Sequence, residues 1–323
     1  MVRVLSLTIC ILTALHGAVS VSALAADKVQ NQIATDDANL AVVLTRDDKI
    51  KHVKHLDGIS EVPLAAKRIV ALHNSFSESL IALGMAPAGA VERPQGAPVQ
   101  LKAAMTETIS VGDQSNPDYE KILILQPDLI LSVGDVHSQN IDLLKAIAPV
   151  VSLREPEEDW RPWLIGLGDV LERQSQAEKL IDDYNQRVEK LRLTLLVEHK
   201  DETVLLMRVR QKDIRIYGTE RRSGPVLYRD LQLTPHRLVP VGKNYEAISN
   251  ELIGQMDADR IFLMVEDAER LGNIEKTALW QGLPAVKAGR VYKVNIEPWN
   301  QSSGPISASV IVDDVARAFG LTE

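Results

Sequence analysis

Arginines crowd the ends of two apolar runs in this chain. Arg208 and Arg210 close the run Thr203–Val209, and Arg221 and Arg222 follow Ile214–Tyr217. The arginine fork grips a carboxylate or phosphate at two points and stays charged at physiological pH. A single arginine usually just solvates a loop. Such a cluster in an acidic chain of formal net charge −8 points to capture of an anion. Other polar side chains follow predicted strands in the same way: His73 and Asn74, Glu92 and Arg93, Asp135 and His137, then Tyr217 and, after Val294, Trp299. Open α/β sheets bind ligands beyond the carboxyl ends of their strands. The candidate ligand-binding set is therefore His73, Asn74, Glu92, Arg93, His137, Arg208, Arg210, Tyr217, Arg221, Arg222 and Trp299.

Signatures of catalysis are missing. There is no Gly-x-Ser-x-Gly elbow and no His-Glu-x-x-His pair. The stretch Gly218-Thr-Glu-Arg-Arg-Ser-Gly224 has glycines but lacks the Lys-Ser/Thr end of a phosphate loop. His52 and His55 lie close together in a polar region, where a surface pair is the expected role. No dense group of Asp, Glu, His or Cys has the spacing of a metal site. The chain reads as a binder and not an enzyme, with no resident cofactor or metal.

The elements that would position these residues come in repeating units. Glu120 precedes Asp128 by eight positions, and Glu251 precedes Asp259 by eight. In each case the Glu sits in a predicted first helical turn and the Asp opens an apolar strand. A helix feeding a strand twice, half a chain apart, predicts two α/β lobes of similar build, with a ligand cleft between them. Residues 68–72 predict a strand, and Ser75 with Glu78 predicts a capping box on the helix that follows. Asn116-Pro117 reads as a helix start. Residues 158–197 show helical periodicity without Gly or Pro after position 168, predicting a short helix and then a long one joining the lobes. The alternation of strands and helices predicts mostly parallel sheets. A hairpin is expected across Arg46-Asp-Asp48.

Residues 1–25 have the form of a cleavable export signal: Arg3, an apolar core too short to span a membrane, and Ala23-Leu-Ala25. Its removal takes Arg3 and Cys10, leaving a mature chain of charge −9 without cysteine. That balance argues against nucleic acid as a partner. The expectation is a soluble, monomeric periplasmic protein with an N-terminal lobe at 26–163, a linking helix at 164–197 and a C-terminal lobe at 198–323.

Lys67-Arg-Ile-Val-Ala-Leu-His-Asn-Ser-Phe-Ser-Glu-Ser-Leu-Ile-Ala-Leu-Gly-Met-Ala-Pro-Ala-Gly-Ala90 resembles the first lobe of periplasmic binding proteins for ferric siderophores, ferric dicitrate, haem and cobalamin. Gln126-Pro-Asp-Leu-Ile-Leu131, Ala177-Glu-Lys-Leu-Ile-Asp-Asp-Tyr184 and Gly289-Arg-Val-Tyr-Lys-Val294 extend the resemblance over nearly all of the mature chain. It implies two Rossmann-like lobes joined by one long helix, and delivery of ligand to the membrane subunits of an ABC importer. By motif position Glu120 and Glu251 are the docking glutamates the resemblance implies.

The arginines favour a ferric chelate with anionic groups, such as a citrate or carboxylate siderophore. Cobalamin pockets in that family lean on aromatics, which are 4% of this chain. Haem is the alternative ligand, with His73, His137 or Tyr217 as the axial candidate. An exported α/β hydrolase is the alternative from another class, and a binding protein that signals to a receptor is a third reading.

Overall fold

A computed structural model describes residues 40–94, 96–155 and 158–321. The export signal expected at residues 1–25 lies outside the described residues. The first elements form an antiparallel meander of β1 (Val42–Arg46), β2 (Ile50–His55) and β3 (Gly58–Pro63). The hairpin falls where expected, and Asp47 closes its turn by accepting from the N–H groups of Lys49 and Ile50. Alternate residues of β2 face inward, among them a fully buried Lys51. Its ammonium donates to the Leu64 carbonyl and to Glu172, each at 3.0 Å. This pins the meander to the helical region near residue 172.

The first large sheet has strand order β8–β7–β4–β5–β6, all parallel. Its strands are β4 (Ile69–Ala71), β5 (Gly89–Ala90), β6 (Ile109–Ser110), β7 (Leu129–Val133) and β8 (Val150–Leu153). Every residue of β4, β7 and β8 is buried, as expected of a parallel sheet covered on both faces. After β4 comes α1 (Asn74–Ala82). Its cap is not the expected Ser75–Glu78 box. His73 caps it, accepting from the Ser75 N–H through Nδ1. Glu78 turns instead into the core. Gly84, at φ +77°, ends the unit in the left-handed conformation that glycine adopts cheaply.

Asn116-Pro117 pairs with Gly112-Asp113 as a short strand instead of starting a helix. Asp118 caps the next helix, α2 (Tyr119–Leu125), by accepting from the Lys121 N–H. Then α3 (Ile141–Ile147) and β8 follow. The linking region is two helices, α4 (Trp160–Val170) and the 25-residue α5 (Gln174–Glu198). Between them Glu172 takes φ +55°.

The second sheet has strand order β11–β10–β9–β12–β13, built from β9 (Thr203–Val209), β10 (Ile214–Tyr217), β11 (Tyr245–Ile248), β12 (Arg260–Val265) and β13 (Val291–Val294). Strands β9, β12 and β13 are parallel, whereas β10 and β11 run antiparallel. The expectation of a mostly parallel sheet thus holds for only part of this lobe. Four residues connect β9 to β10. That is enough for a hairpin and far too few for a parallel crossover.

The internal repeat has a physical meaning. Asp128 accepts from the N–H groups of Lys67 and Arg68 at the start of the neighbouring β4. Asp259 accepts from the N–H and hydroxyl of Thr203 at the start of β9. Each Asp opens one strand and clamps the beginning of its parallel neighbour.

The final helix, α6 (Pro305–Ala318), ties the lobes together. Glu78 reaches from α1 to its first turn, accepting from the N–H and the hydroxyl of Ser307, each at 2.6 Å, and from the Ser302 hydroxyl. Burial pushes the Glu78 carboxyl above its ordinary pKa. Phe76 and Leu80 of α1, Tyr184 and Val188 of α5, and Ile311 and Val312 of α6 share one buried apolar cluster with Leu206 of β9. The two lobes therefore share a core along these helices.

Candidate functional site

The carboxyl ends of the first sheet's strands open on a cleft of about 280 Å³, lined by Asn74, Val91, Glu92, Arg93, Asp113, Gln114, Ser115 and Val136. Of the predicted residues, Asn74, Glu92 and Arg93 thus come together here. His137 lies beneath the cleft and is buried. Its Nδ1 accepts from the Val133 N–H at 3.0 Å, and its Nε2 donates to the Gln114 carbonyl at 2.8 Å. Both ring nitrogens thus brace the loop that forms the cleft wall. Burial lowers the His137 pKa, keeping the ring neutral.

The second lobe carries its arginines in two pairs. Arg208 pairs with Glu266 at 2.5 Å and donates to the Tyr217 hydroxyl at 3.3 Å. Arg210 reaches Glu266 at 3.3 Å and Asp213 at 3.4 Å. Arg215, held by Asp213 at 3.1 Å, lies over the Tyr245 ring at 3.9 Å. Val209 faces Ile214 and Met207 faces Ile216 in the antiparallel register. The carboxyl ends of β9 and β10 therefore point in opposite directions, which separates Arg208 and Arg210 from the loop after Tyr217.

That loop carries the second pair to the other lobe. Arg222 Nη2 lies 2.7 Å from Glu155 Oε1, and Arg221 Nη2 donates to Glu155 Oε2 at 3.1 Å. Glu155 follows β8 at its carboxyl end. His73 stands on the same carboxylate, with Nε2 at 3.6 Å. Burial pushes the His73 pKa down to about 4, against the pull of Glu155. Burial alone would raise the Glu155 pKa. His73, Arg222 and Arg221 outweigh it and hold that carboxyl below its ordinary value.

The glycines of the 218–224 stretch explain this geometry. A Cβ on Gly218 would lie 2.2 Å from the Lys243 carbonyl oxygen, and one on Gly224 would lie 2.1 Å from the Gly218 carbonyl oxygen. The backbone folds tightly on itself there, and Arg222 takes φ +58° at its tip. A non-glycine residue in that region costs on the order of 1 kcal/mol or more, a strain that concentrates at functional sites.

Trp299 stands apart from the cleft. It is fully buried, packs on Phe262 at 5.0 Å and donates to Asp314 at 2.7 Å. Tyr217 is buried as well, with its hydroxyl directed to Arg208. Sequence reasoning missed Glu155, Glu266 and Asp213. An acidic residue after a predicted strand, facing arginines, was a usable signal only for Glu155, two positions beyond β8. Among the described residues no three His, Cys, Asp or Glu side chains gather as a metal site. No helix among them is long and apolar enough to cross a membrane.

The two docking candidates are exposed. Glu120 lies in the first turn of α2, and Glu251 in the first turn of a 3-10 helix, Asn250–Gln255. A hydrogen bond with Ser249 lowers the Glu251 pKa.

A periplasmic binding protein family model matches residues 69–296. The chain belongs to that family. A probable siderophore-binding lipoprotein of Bacillus subtilis (strain 168), YfiY, is 31% identical over 287 residues, covering 84% of this chain and 88% of that protein. The achromobactin-binding periplasmic protein of Dickeya dadantii (strain 3937) is 30% identical over 266 residues, or 79% of this chain and 87% of that one. The crystal structure of Staphylococcus aureus SirA complexed with staphyloferrin B superposes with a TM-score of 0.71 at 26% identity, covering 83% of this chain and 98% of SirA. The binding protein family consists of substrate-binding proteins.

Proposed function

We propose that this protein captures a ferric chelate bearing anionic groups in the periplasm and delivers it to an ABC importer. The observation that carries this reading is the convergence of Arg221 and Arg222 on the other lobe's Glu155 and His73. Arg93 lines the neighbouring cleft. A two-sided seat rich in guanidinium groups suits a ligand that presents carboxylates to both lobes. The relatives named for siderophores support iron chelates as the class. Iron is cargo here, arriving already ligated.

The haem alternative gains no support from the axial candidates. His73 caps α1 through Nδ1 and turns Nε2 to Glu155, His137 uses both nitrogens on backbone groups, and Tyr217 is directed to Arg208. Glu120 and Glu251 are proposed to meet the importer, one from each lobe.

Intrinsic tryptophan fluorescence, titrated with ferric citrate, several ferric siderophores, haem and cobalamin, tests the reading. Saturable quenching by an anionic ferric chelate, stronger than by haem or cobalamin, is expected. A response to haem or cobalamin alone would overturn it.

A further inference from the structure

Glu155 of the first lobe stands against Arg221 and Arg222 of the second. Its carboxylate is 13% exposed and is gripped by two guanidinium groups of the opposite lobe. The loop bearing those arginines is strained at Arg222 and too tight at Gly218 and Gly224 to accept a side chain there. So rigid a mount suits presentation of a charge to a partner that changes, whereas a permanent ion pair needs no strain. We propose that Glu155 is an internal stand-in for a ligand carboxylate, and that binding is an exchange in which the chelate displaces it from Arg221 and Arg222. This rests on the proposed function and adds a rule of specificity to it.

The rule follows from charge. A guanidinium edge that faces Glu155 cannot face a second carboxylate in the same geometry. Only a ligand with an uncoordinated anionic group replaces what Glu155 gives up. A neutral chelate, such as a ferric trihydroxamate, would leave the arginines with Glu155 and meet a seat already filled. Glu155 thus selects by charge, and it partners the half-buried arginines while the site is empty.

Glu155→Gln tests this, with ferric citrate and a neutral ferric trihydroxamate titrated by calorimetry. The variant keeps the shape and loses the charge. The expected result is roughly tenfold tighter ferric citrate binding, in line with one charge-assisted contact no longer competing, and less than about twofold change for the trihydroxamate. Unchanged or weaker citrate binding would overturn the proposal. Should neither form bind any ferric chelate, the binding function itself fails. Glu155 is then judged on thermal melts in metal-free citrate: greater stabilisation of the variant than of wild type supports the stand-in, and equal stabilisation refutes it. If the variant does not fold, a crystal structure of the loaded wild-type protein decides. Glu155 parted from Arg222, with a ligand oxygen in its place, supports the exchange, and a retained Glu155–Arg222 pair refutes it.

Discussion

Glu155 of one lobe and Arg222 of the other meet at 2.7 Å, and this contact joins the two halves of the candidate site. It lies beside His73 and next to a cleft holding Asn74, Glu92 and Arg93. Ligand recognition is expected to centre there.

Arg221→Ala and Arg222→Ala should each weaken binding of an anionic ferric chelate. Loss of a charge-assisted contact in a partly dry site costs about 1.5–3 kcal/mol, or roughly tenfold or more in affinity. Calorimetry on each variant checks this. If both bind within twofold of wild type, the arginines only decorate the surface.

Acid should destabilise the fold through His73. Its folded pKa is pushed down by burial to about 4, from an ordinary value of 6.5. Between those values the unfolded chain binds the proton more readily, so stability falls as pH drops through that window. The full contribution is roughly 3 kcal/mol. His73→Asn keeps a capping side chain and removes the titration. Urea melts at pH 7 and pH 5 should show a smaller pH-dependent loss in the variant. An identical loss would assign the acid sensitivity elsewhere, with His55, also lowered to about 4, the next group to test.

Much of this architecture was legible in the sequence. Strands β9 and β10 were bounded correctly, because buried strands are short apolar runs between charged or turn residues. The Glu–Asp repeat was legible too because it recurs in the sequence, although the strand start each Asp clamps, 61 positions away for Asp128 and 56 for Asp259, was not. The direction of β10 was missed, although the four-residue connector from Arg210 to Asp213 dictates a hairpin. Glu78 was misassigned for a different reason. Its partners Ser302 and Ser307 lie more than 220 positions away, where no local pattern reaches. Glu155 and Glu266 escaped notice because an internal counter-ion is defined only by the fold that brings it to an arginine.

Closure on ligand binding should be small. The lobes share buried side chains on α1, α5 and α6, and bending α5 breaks backbone hydrogen bonds. Small-angle scattering with and without chelate is expected to give nearly the same radius of gyration. A large drop would show that this shared core opens.

Glu120 and Glu251 are expected to serve transport and not affinity. Both are exposed, and a first-turn glutamate as a mere helix ornament contributes only weakly to stability. With both changed to alanine, chelate affinity should stay normal while uptake by cells falls. Unimpaired uptake would reduce the two residues to helix stabilisers.

The most direct test of the account is a calorimetric titration of the purified protein with an anionic ferric chelate, beside the same titration with Fe³⁺ held by a weak competing buffer. Saturable one-to-one binding of the chelate, without tight binding of the bare ion, is the predicted result. A stoichiometric site for Fe³⁺ alone, or no binding of any anionic ferric chelate, would contradict it.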